Sequence, residues 1–325
     1  MDFFSHLLIG ILISIFLLNS LGKEFVIYAS IMAFLPDFDA FLELFQSFRK
    51  SKLLSHKGVS HSYLAAFFVS MISGSIFFLL TGESFVLAWM IGFLFYSIHI
   101  SLDALTASKI PLFYPFSKKR FRIFVDRAIN LFLAIISVIF LILYFAAFFF
   151  LPELYFYNLA FSFLIFYIVY LIYKIYTKIS VQLRLSDTPS RIMIPGILPF
   201  VYLIYENNSS DTKLSFKLLK KFQLISKTVK IIETEIKTDS EEMDFYNKAK
   251  SLSKKYPFFF KWEAIIPIIL KDEKLITVVL FLAESFAFGS AHSLRVVFNK
   301  KSKEAVYESN GFGYAINNML NKPYN

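Results

Sequence analysis

Long apolar runs dominate this chain and restrict what it can fold into. Leu7–Leu18, Leu64–Leu80, Phe85–Ile100, Ile129–Leu151 and Leu159–Tyr173 are almost free of charge. A helix needs about 20 such residues to cross a hydrocarbon layer about 30 Å thick. The composition agrees: 57% of the 325 residues are hydrophobic, and 42 are Phe. A soluble domain averages about 45–50% apolar, so the excess reads as membrane helices. Six spans follow from the pattern, at about 3–20, 24–45, 61–80, 84–106, 128–151 and 155–178. The first carries Asp2 and no basic n-region, so it is read as a retained helix and not as a cleaved signal.

Charge gives these spans a direction. Connections after the first, third and fifth spans are very short: Leu21-Gly22-Lys23, Thr81-Gly82-Glu83 and Pro152-Glu153-Leu154. Those after the second and fourth are longer and basic. Residues 46–60 hold Arg49, Lys50, Lys52 and Lys57 with no acid, and residues 107–127 hold six Lys/Arg with Asp126 alone opposing them. Lys/Arg-rich loops stay on the cytoplasmic side, so both termini and both basic loops are expected there. The net charge of +10 is therefore assigned to anionic lipid and not to nucleic acid, for which no recognition motif is present.

From about residue 179 the sequence changes character. Ile265–Leu270 and Leu275–Ala283 flank a Lys-Asp-Glu-Lys turn. Ser293–Phe298 and Glu304–Glu308 flank a second turn. Both read as hairpins. Glu241–Lys255 reads as an amphipathic helix burying Met243, Tyr246, Ala249 and Leu252. The expected architecture is an all-α polytopic domain over 1–178, followed by a small cytoplasmic α+β domain over 179–325.

Against this apolar background, a few polar residues stand out. His6, Asp37, Asp39, His56, His61, His99 and Asp103 lie in or beside the first four spans. An ionisable group in a span costs roughly 2.5–3.5 kcal/mol on insertion scales and is a functional candidate by default. The predicted topology brings all seven to one leaflet. His99 and Asp103 are spaced i,i+4 and share a helix face. Pro36 breaks the second helix just before Asp37 and Asp39. Gly58 turns the chain between His56 and His61, with Ser60 as the expected helix N-cap. The chain has no cysteine, so a metal here must be held by imidazole and carboxylate. Asp2, Glu43 and Asp126 read as interfacial or capping groups, and His292 as a structural residue of the tail.

These residues carry a resemblance. Met1-Asp2-x-x-Ser5-His6, Leu35-Pro36-Asp37-Phe38-Asp39, His56-Lys57-Gly58-x-Ser60-His61-Ser62 and His99-x-x-x-Asp103-Ala104-Leu105-Thr106 are similar to the motifs of a membrane-bound metal-dependent hydrolase family, which includes LexA-regulated inner-membrane proteins. The similarity is strong over about 1–130 and looser beyond. Two positions depart from that family: Lys57 stands where Arg is usual, and the Gly common after the HxxxD motif is replaced around Ser108-Lys109. The resemblance implies a divalent metal, zinc, as one or two ions. Its ligands would be His6, His56, His61, His99 and Asp103, with Asp37 and Asp39 as ligands or general base. A lipid or other phosphate ester is the expected substrate, its headgroup held by Lys57, Lys118, Lys119 and Arg120. Two other readings compete: a non-catalytic, metal-stabilised scaffold or regulator, and an ion or proton transporter. The transporter is disfavoured because the fifth and sixth spans offer almost no polar residues. Oligomeric state is not legible.

Overall fold

The computed structural model describes residues 2–39, 57–106, 108–127, 130–185, 190–223, 227–256, 258–259, 262–287 and 289–315. These fall into two compact units, Met1–Tyr176 and Thr177–Asn325.

The first unit is helical: α1 Phe3–Leu18, α2 Lys23–Phe34, α3 Tyr63–Thr81, α4 Phe85–Ala104, α5 Leu131–Phe150 and α6 Glu153–Leu185. Among the described residues, four helices (α3 to α6) are long and apolar enough to cross a membrane. α1 is apolar but shorter, and α2 has 12 residues, so a count of six spans is not reached. The reason α2 is short is local. Pro36 follows it, and the backbone tightens into a 3-10 turn over Leu35–Phe38. Gly82, in the left-handed conformation at φ 77°, closes the tight turn after α3.

Two clusters pack the helices. Phe25, Tyr28, Ala29, Met32, Ala66, Phe77, Ile91, Phe95 and Ile100 join α2, α3 and α4. Leu8, Leu12, Leu133, Leu141, Phe163, Tyr167 and Tyr170 join α1, α5 and α6. Small residues bring backbones close, the usual device where lipid offers no hydrophobic gain for packing. Gly10 of α1 faces Ala33 of α2, where any Cβ would overlap the alanine methyl.

Asp2 does cap α1, accepting from the Ser5 amide at 3.0 Å. Asp126 is buried within the protein, 3% exposed. Its carboxylate accepts from Tyr170 Oη (2.7 Å) and Asn130 Nδ2 (2.9 and 3.0 Å), and lies 3.1 Å from Lys174 Nζ. The fifth and sixth spans are also more polar inside than their hydropathy suggests. Ser137 Oγ bonds both Ser5 Oγ (2.8 Å) and Tyr167 Oη (2.5 Å). Tyrosine hides a hydroxyl on a largely apolar body, which a hydropathy count passes over.

The second unit holds two four-stranded antiparallel sheets. β1 Arg191–Pro195, β2 Val201–Ser209, β3 Lys213–Phe222 and β4 Thr228–Lys237 form one. β5 Ile265–Lys271, β6 Leu275–Leu282, β7 Ser290–Asn299 and β8 Ala305–Ala315 form the other, and α7 Glu241–Ser253 lies between them in sequence. Both expected hairpins are present, as β5–β6 and β7–β8. α7 buries Phe245, Tyr246, Ala249 and Ser253, so its inner stripe is rotated from the expected one and leaves Met243 and Leu252 at the margin. Phe245 wins the inner position by packing on Phe298 of β7. The sheet β1–β4 had no sequence signal as clear as the later hairpins.

Two predictions follow from this packing. Gly10→Val is expected to push α1 off α2 and cost about 1–3 kcal/mol, read as a lower unfolding midpoint of the detergent-solubilised chain. In the tail, burial against Phe258 and Phe259 lowers the His292 pKa from its ordinary 6.5, with Asn310 opposing the shift. Well above 6.5 neither folded nor unfolded tail binds this proton, and its stability is full. As pH falls below that value the unfolded chain protonates first and stability declines. Denaturant unfolding followed by Trp262 fluorescence, in a Trp89→Phe background, should show that decline, and His292→Phe should flatten it.

Candidate metal centre

The site is built where regular structure gives out. α4 ends at Ala104 and presents His99 and Asp103 one turn apart on its inner face, 1% and 0% exposed. The 3-10 turn after α2 delivers Asp37 and then Asp39. A second 3-10 turn, Val59–His61, delivers His61 just before α3. The expected cap of α3 moves by two residues: Ser62 accepts from the Ala65 amide at 3.2 Å, while Ser60 turns its hydroxyl to Asp39 and to His61 Nδ1.

Asp37, His61, His99 and Asp103 each offer one ligand atom, and these four atoms lie within 4.8 Å of one another. His61 Nε2 is 3.2 Å from Asp103 Oδ2 and 3.8 Å from Asp37 Oδ1. His99 Nε2 is 3.5 Å from Asp37 Oδ1 and 3.9 Å from Asp103 Oδ2. Four tetrahedral donors at bonds of 2.0–2.2 Å would sit roughly 3.3–3.6 Å apart. The observed spacings bracket that range, so the donor set fits one ion with shifts of under about an ångström for most pairs.

The imidazoles are aimed as ligands require. His99 Nδ1 donates to the Ala33 carbonyl at 2.8 Å, which leaves the Nε2 lone pair facing the centre. His61 Nδ1 faces Asp39 Oδ2 at 3.1 Å, which aims its Nε2 inward likewise. Such outer partners fix tautomer and ring orientation in metal sites. Asp39 therefore stands behind His61, where it also accepts from the Lys57 amide at 2.9 Å.

The remaining candidates take other places. His6 stacks on His99 with ring centroids 3.8 Å apart and meets the far oxygen of Asp103, Nε2 to Oδ1, at 3.2 Å. Lys57 points inward. Its Nζ lies 2.8 Å from Asp103 Oδ2, and it is 7% exposed with a backbone φ of 60°. Lys118, Lys119 and Arg120 lie exposed on the loop after α4. His56 falls outside the described residues. Tyr96 is a contributor the motifs did not flag: its hydroxyl donates to the Ser60 carbonyl at 3.0 Å. Its signal was position, since Tyr96, His99 and Asp103 repeat on one helix face.

Electrostatics point the same way. Asp37, Asp39 and Asp103 bring three carboxylates to this pocket beside the Lys57 ammonium, an acidic set of the kind that a divalent cation offsets. Buried charge persists only when paired or bound to metal.

The fold and site together define a helical membrane protein with a buried His/Asp cluster at its helix ends. Over residues 1–178 the chain matches the family model described as YdjM inner membrane protein, and it belongs to that family. The description names a membrane location and no activity. No curated protein and no solved structure matches the chain.

Asp103 faces Lys57, His6 and His61 at 2.8–3.2 Å, so its removal strands several buried groups. Asp103→Ala is expected to cost about 3–5 kcal/mol, and Lys57→Met a smaller amount, because the first strands the Lys57 ammonium while the second leaves Asp103 its histidine partners. Asp103→Ala combined with Lys57→Met should recover part of that loss. Thermal unfolding of the four proteins in detergent checks this coupling.

Proposed function

We propose that this protein is a membrane-embedded, zinc-dependent hydrolase acting at the cytoplasmic face on a phospholipid or related phosphate ester. The observation that carries the reading is the convergence of Asp37, His61, His99 and Asp103 within 4.8 Å, from three separate chain segments. A divalent cation held by these four would supply an activated water and polarise the scissile phosphoryl oxygen. Asp37 is the most accessible of the four, its side chain 10% exposed against 0% for the others, and is the residue a substrate meets first. It serves as ligand or general base on that open side. Asp39 and the Ala33 carbonyl position the two imidazoles. Lys57 offsets the charge of Asp103 and sits where a substrate phosphate would come to rest. Lys118, Lys119 and Arg120 take the anionic headgroup. The Lys/Arg-rich loops are what set the cytoplasmic orientation.

A second reading is a metal-stabilised scaffold without turnover. It is favoured by the closure of the site, since His61, His99 and Asp103 are sealed from solvent. Elemental analysis of the purified chain separates the possibilities when paired with an assay on phospholipid micelles that follows both loss of the lipid and appearance of phosphomonoester or phosphate. Bound divalent metal is expected, falling at least about tenfold in His99→Ala and Asp37→Ala. Lipid hydrolysis should fall in parallel. Unchanged metal in both variants would overturn the site, and metal without turnover would leave the scaffold.

A further inference from the structure

Between α4 and α5, residues 110–121 close into a hairpin. Ile110 and Phe121 exchange backbone hydrogen bonds at 3.0 and 2.8 Å, and within the loop Tyr114 and Ser117 donate to the carbonyls of Pro111 and Phe113. Its base is fixed to the end of α4, a helix long and apolar enough to cross a membrane. The Ile123 and Val125 amides donate to the Ala104 and Leu105 carbonyls at 2.8 and 2.7 Å, satisfying acceptors a helix end leaves open. The Tyr63 amide donates to the Leu112 carbonyl at 3.0 Å, tying the hairpin to the start of α3 as well. It is thus held at the level of two helix ends, where hydrocarbon gives way to headgroups.

Its exposed residues divide by chemistry. Phe116 is 85% exposed, Phe113 48% and Ile123 57%. Lys118, Lys119 and Arg120 follow directly and are exposed too, with Lys119 Nζ 5.5 Å from the Phe121 ring centroid. Water-exposed phenylalanine beside three consecutive cations is costly in solvent. At a membrane surface the same pattern is favourable, with rings at the acyl boundary and cations among phosphates.

We propose that this hairpin is a binding element for anionic phospholipid of the surrounding leaflet, with Phe113 and Phe116 inserted and Lys118, Lys119 and Arg120 on the headgroup phosphates. This deepens the headgroup assignment made above by naming resident lipid as the occupant. It needs only the membrane placement of α3 and α4, so it can fail while the metal centre stands. Because the hairpin grips the chain one and two residues beyond Asp103 and two beyond His61, lipid held there also steadies the site.

The absence of cysteine makes a clean test possible. A nitroxide on Phe116→Cys, in the full chain, reports collisions with oxygen and with a water-soluble nickel chelate. Ile72→Cys, on a lipid-facing position of α3, is the internal reference for an inserted fold. The chain is reconstituted in phosphatidylcholine alone or with about one third phosphatidylglycerol, where each cation near the surface contributes about a fivefold preference for the anionic lipid. The label at 116 should be nickel-excluded, more strongly so with phosphatidylglycerol. Replacing Lys118, Lys119 and Arg120 together by Gln should abolish the difference between the two lipids. A label open to nickel in both lipids would overturn the proposal, as would a lipid difference that survives the triple substitution.

Discussion

The Asp103 carboxylate is the point on which the helical unit's polar interior depends. It is fully buried at the end of α4, and one of its oxygens meets His6 while the other meets His61, His99 and Lys57. An uncompensated carboxylate in such a place would be far too costly to keep. The neighbours that compensate it come from α1, from the turn before α3 and from α4 itself. Satisfying one charge therefore fixes three segments against each other. The same convergence that lowers the cost of burial creates a set of donors spaced for a cation.

Every member of the cluster outside α4 and α1 sits on irregular backbone. Asp37 and Asp39 follow the 3-10 turn at Pro36, and Lys57 and His61 lie in the turn before α3. Broken backbone at a membrane boundary is tolerated where its polar groups are paired within the protein. Here Asp39 does that work, accepting from the Lys57 amide and the Ser60 hydroxyl. The site and the irregular backbone thus support one another. Asp126 repeats the arrangement, its carboxylate gathering Tyr170, Asn130 and Lys174. Among the described residues, the groups bonded to that second carboxylate are donors and none is a histidine, so it reads as a structural anchor.

Membership of the YdjM inner membrane protein family rests on residues 1–178, the segment that carries all the site residues. The two-sheet tail lies outside that match, and the functional reading draws nothing from it. What joins location to chemistry is depth. His99 and Asp103 are within about a turn and a half of the end of a helix long and apolar enough to cross a bilayer.

The sequence by itself determined the apolar helices, their short and long connections, the two later hairpins and the identity of the unusual polar residues. These are local properties, set by run length, period and spacing. The i,i+4 relation of His99 and Asp103 and the break at Pro36 were legible for that reason. Tertiary structure decided the division of labour: Asp37 at the rim, Asp39 behind His61, Lys57 turned inward to Asp103, Ser62 and not Ser60 as the cap. It also decided that Asp126 is buried and that α7 turns Phe245 to the sheet. Each of those depends on which group across a gap satisfies a charge or fills a space, and no spacing within one segment encodes the partner on another.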